Sequence, residues 1–508
     1  MCGSFDWVGA EAARDECLGC MTSRATSARG RWLFAVLALG VGARVWVWTA
    51  KSGFLYPDEI FQYLEPANWK LTGMAWLPWE FERGLRNWLL PYFYGAWMWW
   101  GRLAGLHGYT IQRALCLHNA LLSVLLVPMI MQCVDHATER SNHGGAAGGV
   151  HFTDEADVAV ARGWVGVVVA LYPPILYYMP HTLSEVPGVL LTTGSWLWFL
   201  RSLDASASSR SKYAVLWSGV LAGAAVLVRP TLVFWCVVQP FVWLMAGRWR
   251  AVVGYGLAAT LPLIIGGLVD WVTWGRFFHS TIEYVKYNYI ENGASDHGVS
   301  PREFYLAVWF WERMGAGGIV MLTLALLGGR AAWWTLTAAA VPVLVLSTIE
   351  HKEERFLLSS TPLVVLAAGL GLMRVLSWVA GRDAPRARRW WLGSVAALAA
   401  LVLGVGARGM STADWHWRAG VFEGQRAVSL DPRARGVLVD DRMHMNGGYT
   451  VLDRNIPQAQ FMSELVAHPI FNYAVIPRAR NYEDFAAEQG FRLQRVERDR
   501  GVWFRDDR

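Results

Sequence analysis

The chain is dominated by apolar runs near the twenty-residue length that a helix needs to cross the hydrocarbon core of a bilayer. Eleven such stretches occur, at about 32–50, 114–134, 164–179, 186–200, 213–228, 232–246, 251–269, 317–329, 331–347, 357–380 and 391–407. They predict a helical protein with about eleven transmembrane crossings. A twelfth stretch, 88–106, is aromatic-rich and broken by Pro91 and Arg102, which suits a helix lying in the interface. From Arg408 onward the pattern turns polar. Short strand-like runs at 437–439 and 473–477, a helix-like stretch at 482–489 and a strand-like pair within 491–504 predict a small α/β domain over 408–508.

Composition agrees with the pattern. Of the 508 residues, 54% are hydrophobic and 17% charged, against about 25% charged in soluble proteins. An ordinary soluble enzyme is excluded. Thirty tryptophans suit a chain that repeatedly meets the headgroup layer. The net charge of +6 could suggest nucleic acid. Its arginines, however, flank apolar runs and read as cytosolic loops under the positive-inside rule, so no nucleic-acid partner is expected. With 1–31 as a cytosolic tail, those loops collect Arg201, Arg210, Lys212, Arg248, Arg250, Arg382, Arg386, Arg388 and Arg389. Had 88–106 crossed, every later loop would invert and lose that bias. The outer face then receives 51–113, the turns near 181–185 and 229–231, 270–315 and 351–356. Six cysteines imply no disulfide framework, and Cys17 with Cys20 reads as a chance pair.

Three segments could carry chemistry. The first outer loop opens Tyr56-Pro57-Asp58-Glu59-Ile60-Phe61-Gln62-Tyr63-Leu64-Glu65; its acids suit a general base for a hydroxyl nucleophile, or simply a solvated loop. In Trp79-Glu80-Phe81-Glu82-Arg83-Gly84-Leu85-Arg86, Arg86 could reach a lipid phosphate or anchor a helix start at the headgroups. His351-Lys352-Glu353-Glu354-Arg355-Phe356 places five ionisable groups between two apolar runs on the outer side, against the positive-inside trend. A ligand explains it best: the cations would hold a phosphate and Glu353 or Glu354 would orient them. A snorkelling cluster is the alternative. Arg229, Asp270 and the acid of His181-Thr182-Leu183-Ser184-Glu185 are weaker signals, the last explained by an N-cap at Ser184. There is no P-loop and no pair of aspartates two apart, so nothing looks built for a nucleotide.

Together these segments resemble the Alg9-like mannosyltransferases, glycosyltransferase family 22. The resemblance runs from Tyr56-Pro-Asp-Glu-Ile-Phe-Gln through Trp79-Glu-Phe…Gly84-Leu-Arg86…Pro91, Arg229-Pro-Thr and Asp270…Trp274-Gly275…Tyr287-Asn288 to His351-Lys-Glu-Glu-Arg-Phe356, and covers about 32–380. The first motif is most similar to that of the enzymes adding the third or fourth mannose to glycosylphosphatidylinositol precursors. Their loop reads His-Pro-Asp-Glu where this chain has Tyr56, and Arg86-Asn87 stands where Arg-Ser is usual.

The resemblance implies a GT-C fold, with 32–407 as the catalytic membrane domain and 408–508 on the lumenal or periplasmic face. It implies transfer of mannose, with inversion, from dolichyl or polyprenyl phosphate mannose to a lipid-linked glycan. Asp58 would be the base with Glu59 as neighbour or substitute. His351, Lys352, Arg355, Arg229 and Arg86 would contact the donor phosphate, and Glu354, Glu65 and Asp270 would support them. Side-chain cations suffice for one phosphate, so neither metal nor cofactor is expected. The site would face the endoplasmic reticulum lumen in a eukaryote and the periplasm in a bacterium. Another polyprenyl-phosphate-sugar transferase, or a lipid-sugar transporter, is the alternative; transporters, though, place ionisable groups near the midplane, where this chain has chiefly Arg44 and Arg374.

Overall fold

A computed structural model describes residues 31–143, 155–203, 209–380, 385–411, 415–439 and 445–506. The Cys17–Cys20 pair lies outside them. Among the described residues, seven helices are long and apolar enough to span a membrane: Arg31–Ala50, Tyr109–Thr138, Asp157–Tyr178, Ser211–Val228, Trp249–Trp274, Ser360–Trp378 and Leu392–Met410. Shorter apolar helices at Pro230–Met245, Gly315–Leu327 and Ala332–Ser347 occupy further expected stretches, as does Glu185–Leu203.

Without a hydrophobic force between helices in lipid, close packing decides who meets whom. Glycines provide it. A Cβ on Gly219 would stand 2.4 Å from the Tyr255 carbonyl oxygen, and one on Gly371 1.7 Å from that of Leu324. These contacts lock Ser211–Val228 to Trp249–Trp274 and Gly315–Leu327 to Ser360–Trp378. Arg44, buried within the first helix, donates to Ser123 Oγ at 2.6 Å and to the Ala170 carbonyl at 2.8 Å. It is thus a cross-brace between helices rather than part of a transport path.

The aromatic stretch forms one helix, Leu89–Leu103. Pro91, Tyr94, Gly95 and Met98 pack inward, while Tyr92, Phe93, Trp97, Trp99 and Trp100 face outward, an aromatic face suited to headgroup depth.

The C-terminal unit is a five-stranded mixed sheet of β1 (Val437–Val439), β2 (Gln458–Gln460), β3 (Tyr473–Pro477), β4 (Arg492–Glu497) and β5 (Arg500–Phe504), ordered β2-β1-β3-β5-β4. β1 runs parallel to β2 and β3, and β5 is antiparallel to β3 and β4. Alternation divides its core. Val437, Val439, Tyr473 and Val475 pack on the helix Ala419–Leu430, and Leu438, Ala474 and Ile476 pack toward Ala486 of Arg480–Glu488.

This sheet domain docks on the first outer loop. Glu65 accepts hydrogen bonds from Thr450 N and Oγ1, both 2.6 Å, and from Trp76 N at 2.8 Å. Asp453 accepts from Arg102 at 2.8 Å and from Gly108 N at 3.1 Å, and Phe422 stacks on Phe54 with centroids 5.0 Å apart.

Candidate active site

Asp58 caps a wide helical turn, Glu59–Leu64, that runs on into Glu65–Thr72. Such π-turns recur at functional sites. Glu353 is extended before a short turn at Glu354–Leu357, and the two segments meet across 297 residues of chain. Arg355 Nη2 lies 2.5 Å from Asp58 Oδ2, and its Nε lies 2.6 Å from Glu353 Oε2 and 3.4 Å from Glu185 Oε1. The guanidinium also sits over the Tyr56 ring at 4.0 Å. Burial works against its charge, but Glu353, Asp58 and Glu185 hold the Arg355 pKa well above the ordinary value. Conversely, burial would raise Glu353, yet Arg355 and His351 pull it down to about 2.

Glu185 bridges two arginines. Arg229 Nη1 donates to it at 2.7 Å, and the Arg229 guanidinium covers the Phe356 ring at 4.4 Å. His351 faces acceptors on both nitrogens, with Glu353 Oε1 at 3.0 Å and the Gly298 carbonyl at 3.2 Å. The hydrogen bond to Glu353 is the main reason its pKa is raised. Arg86 stands apart: its nearest carboxylate oxygen, on Glu80, is 3.8 Å away. Its buried Nε has no hydrogen-bond partner, so it is the cation here with most unspent hydrogen-bonding capacity.

These groups line one cavity of about 470 Å³, which Asp58, Arg86, Arg229, His351, Glu353 and Arg355 share with Trp79, Tyr284, Tyr287, His297 and, from the C-terminal unit, Met445. A second cavity, about 360 Å³, shares Gln62, Leu85, Arg86, Val228, Pro230 and Tyr284 with it. Its other walls are mainly apolar, among them Leu89, Leu90, Phe93, Val226, Leu227 and Leu263. Arg86 stands at the junction of polar and apolar space.

Four expected site residues point elsewhere. Glu59 is fully buried. It accepts from Leu55 N at 2.6 Å and lies 2.6 Å from His181 Nδ1, because consecutive helical residues project about 100° apart and Asp58 takes the cavity side. Burial pulls His181 down to about 4, so a neutral imidazole donates to the Glu59 carboxylate. Glu59 is therefore a brace and no substitute base. Lys352 lies off the cavity, its Nζ donating to the Ser300 carbonyl at 2.8 Å. His351 and Glu353 line the cavity and Lys352 does not, so the structure does not bring Lys352 to the expected phosphate contact. Glu354 engages Arg313 with two bonds of 2.7 Å instead of orienting the cations, which Glu353 does. Glu65 is the latch to the C-terminal unit.

Asp270 keeps a supporting place, accepting from Asn87 Nδ2 at 2.7 Å and from Ser280 N and Oγ at 2.9 and 2.7 Å. Asn87 and Ser280 line the apolar cavity. Sequence reasoning missed Glu185 as a site residue by assigning it to a helix end. Its signal was a lone acid beside an apolar run, which needs a cation. Among the described residues no group of three or more His, Cys, Asp or Glu is placed to hold a metal ion.

The same fold occurs in ArnT from Cupriavidus metallidurans. The structure described as bound to undecaprenyl phosphate superposes with a TM-score of 0.60 at 14% identity, covering 93% of this chain and 97% of that one. The apo structure gives 0.58 at 13% identity. A helical membrane body of this fold with a small C-terminal sheet domain is the GT-C fold. Residues 32–413 match the Alg9-like mannosyltransferase family. The chain belongs to that family and is a multi-pass membrane mannosyltransferase. GPI mannosyltransferase 3 of Yarrowia lipolytica is 24% identical over 84% of this chain and 76% of its own length. GPI alpha-1,2-mannosyltransferase 3 of Danio rerio is 23% identical over 63% and 56%. A probable Dol-P-Man:Man(7)GlcNAc(2)-PP-Dol alpha-1,6-mannosyltransferase of Schizosaccharomyces pombe is 23% identical over 39% and 35%.

Proposed function

We propose that the protein transfers mannose from a polyprenyl phosphate mannose, dolichyl in a eukaryotic host, to a mannosylated lipid-linked glycan, with inversion, on the outer (lumenal or periplasmic) face. The observation that carries this reading is the junction of the two cavities. A polar chamber holding Asp58, three arginines and His351 adjoins apolar space at Arg86, which matches a donor with one phosphate between a sugar and a lipid tail.

In this scheme Asp58 takes the proton of the acceptor hydroxyl as its oxygen bonds to the anomeric carbon from the side opposite the phosphate. The anomeric C–O bond breaks and its electron pair leaves with the polyprenyl phosphate. Arg86, Arg229 and protonated His351 stabilise that charge. Arg355, whose Nε and Nη2 are engaged by carboxylates, acts in this scheme as a positioning residue that fixes the Asp58 oxygen. No cofactor enters the scheme.

The test is a transfer assay with purified protein, radiolabelled dolichyl phosphate mannose, a panel of mannosylated lipid acceptors and GDP-mannose as control donor. Label reaching a glycolipid from the lipid donor alone is expected. Transfer from GDP-mannose, or donor binding with no transfer to any acceptor, would overturn the reading.

A further inference from the structure

The helix Trp249–Trp274 carries Asp270 at its outer end. Arg248, its N-cap, is 22 residues earlier, or about 33 Å along a helix, which places it across the hydrocarbon core from the catalytic cavity. At this far end lies a separate cavity of about 670 Å³, between the starts of Ser211–Val228 and Trp249–Trp274. Lys212, Arg248 and Arg250 line it, and no acid does. None of the three meets a carboxylate among the described residues.

The walls are prepared for an amphiphile. Arg248 is held by the Ser202 carbonyl at 2.8 Å and Ser211 Oγ at 3.1 Å, which fixes a guanidinium at the cavity wall. The positive end of a 26-residue helix dipole points the same way. Deeper along the helices, Gly254 leaves the groove open, with Val215 and Leu216 at ordinary contact distance from a Cβ placed there. The outward-facing Leu216, Trp249 and Val253 flank it. The groove closes one turn further on, where Gly219 meets Tyr255.

We infer that this basic cavity binds the phosphate headgroup of an anionic phospholipid from the cytosolic leaflet, with an acyl chain along the groove at Gly254. Three cations that meet no carboxylate among the described residues, over apolar walls, fit a lipid phosphate better than a soluble anion, because basic pockets between membrane helices face a leaflet that is itself anionic. The site is distinct from the donor site, which lies on the other side of the bilayer.

Native mass spectrometry of the full chain in detergent tests this, with dioleoylphosphatidylglycerol, dioleoylphosphatidylcholine and inorganic phosphate as probes. One retained phosphatidylglycerol is expected, with phosphatidylcholine much weaker. Replacing Lys212 and Arg250 together by Gln, leaving the anchored Arg248, should weaken retention about thirtyfold. Gly254→Leu, which enters the groove without removing a charge, should weaken the lipid and spare any phosphate adduct. Unchanged lipid retention in either variant, equal binding of phosphatidylcholine, or displacement of the lipid by equimolar inorganic phosphate would overturn the inference.

Discussion

At the residue scale the site is organised by charge partners more than by exposure. Asp58 and Glu59 are adjacent acids, yet one faces a cavity and the other a buried imidazole. Asp58→Asn is expected to lower the turnover rate by about 10²–10⁴ in protein that still binds the lipid donor; unimpaired transfer would remove Asp58 as base. Glu353 raises the pKa of His351 by accepting its hydrogen bond. A raised pKa keeps the imidazolium present to higher pH, so in Glu353→Gln the alkaline limb of the pH–rate profile should move to lower pH. An unmoved limb would exclude His351 as the phosphate cation. Arg355 is flanked by three carboxylates and nearly buried. Arg355→Leu should therefore destabilise the fold by about 3–5 kcal/mol, read as a drop in melting temperature in detergent.

At the scale of elements, the helices meet through small residues. Gly219→Val would drive a side chain into the Tyr255 carbonyl, and overpacking of that kind costs about 1–3 kcal/mol. The expected result is a lower melting temperature with reduced transfer, because Val228 and Pro230 of the following turn line both cavities. The short apolar stretches that sequence periodicity placed only approximately do form helices. Their ends were less legible, since the last residues of a helix are set by what they pack against. That the aromatic stretch 88–106 forms a helix was readable from its apolar run. That its Arg102 reaches Asp453 of the sheet domain was not, because no local pattern records a partner 351 residues away.

At the scale of the whole molecule, the sheet domain is held to the membrane body partly through Glu65. Burial raises its pKa to about 7, against the hydrogen bonds from Thr450 and Trp76 that favour the carboxylate. A raised carboxyl pKa means that the folded state binds the proton more tightly, so docking contributes most stability below about 4.5 and loses it as pH rises to about 7. Hydrogen exchange at the Thr450 amide, corrected for intrinsic rate, should show protection falling across that window. Glu65→Gln should flatten the dependence. Because Met445 of the same unit lines the catalytic cavity, this docking also shapes the site.

The sequence by itself determined the membrane body, the polar outer domain and the two charged segments that matter, because run length and local charge are properties of neighbouring residues. It also carried the family resemblance, which placed Asp58, Arg86, Arg229, His351 and Arg355 among the candidates. Only the tertiary structure decided which of adjacent residues faces the cavity: Asp58 over Glu59 through helical rotation, and His351 and Glu353 over Lys352, whose ammonium is drawn to the Ser300 carbonyl. It likewise paired Arg355 with Asp58 and joined Glu185 to the site. Those outcomes depend on contacts between segments hundreds of residues apart, whose geometry is set by helix packing and is written in no single segment.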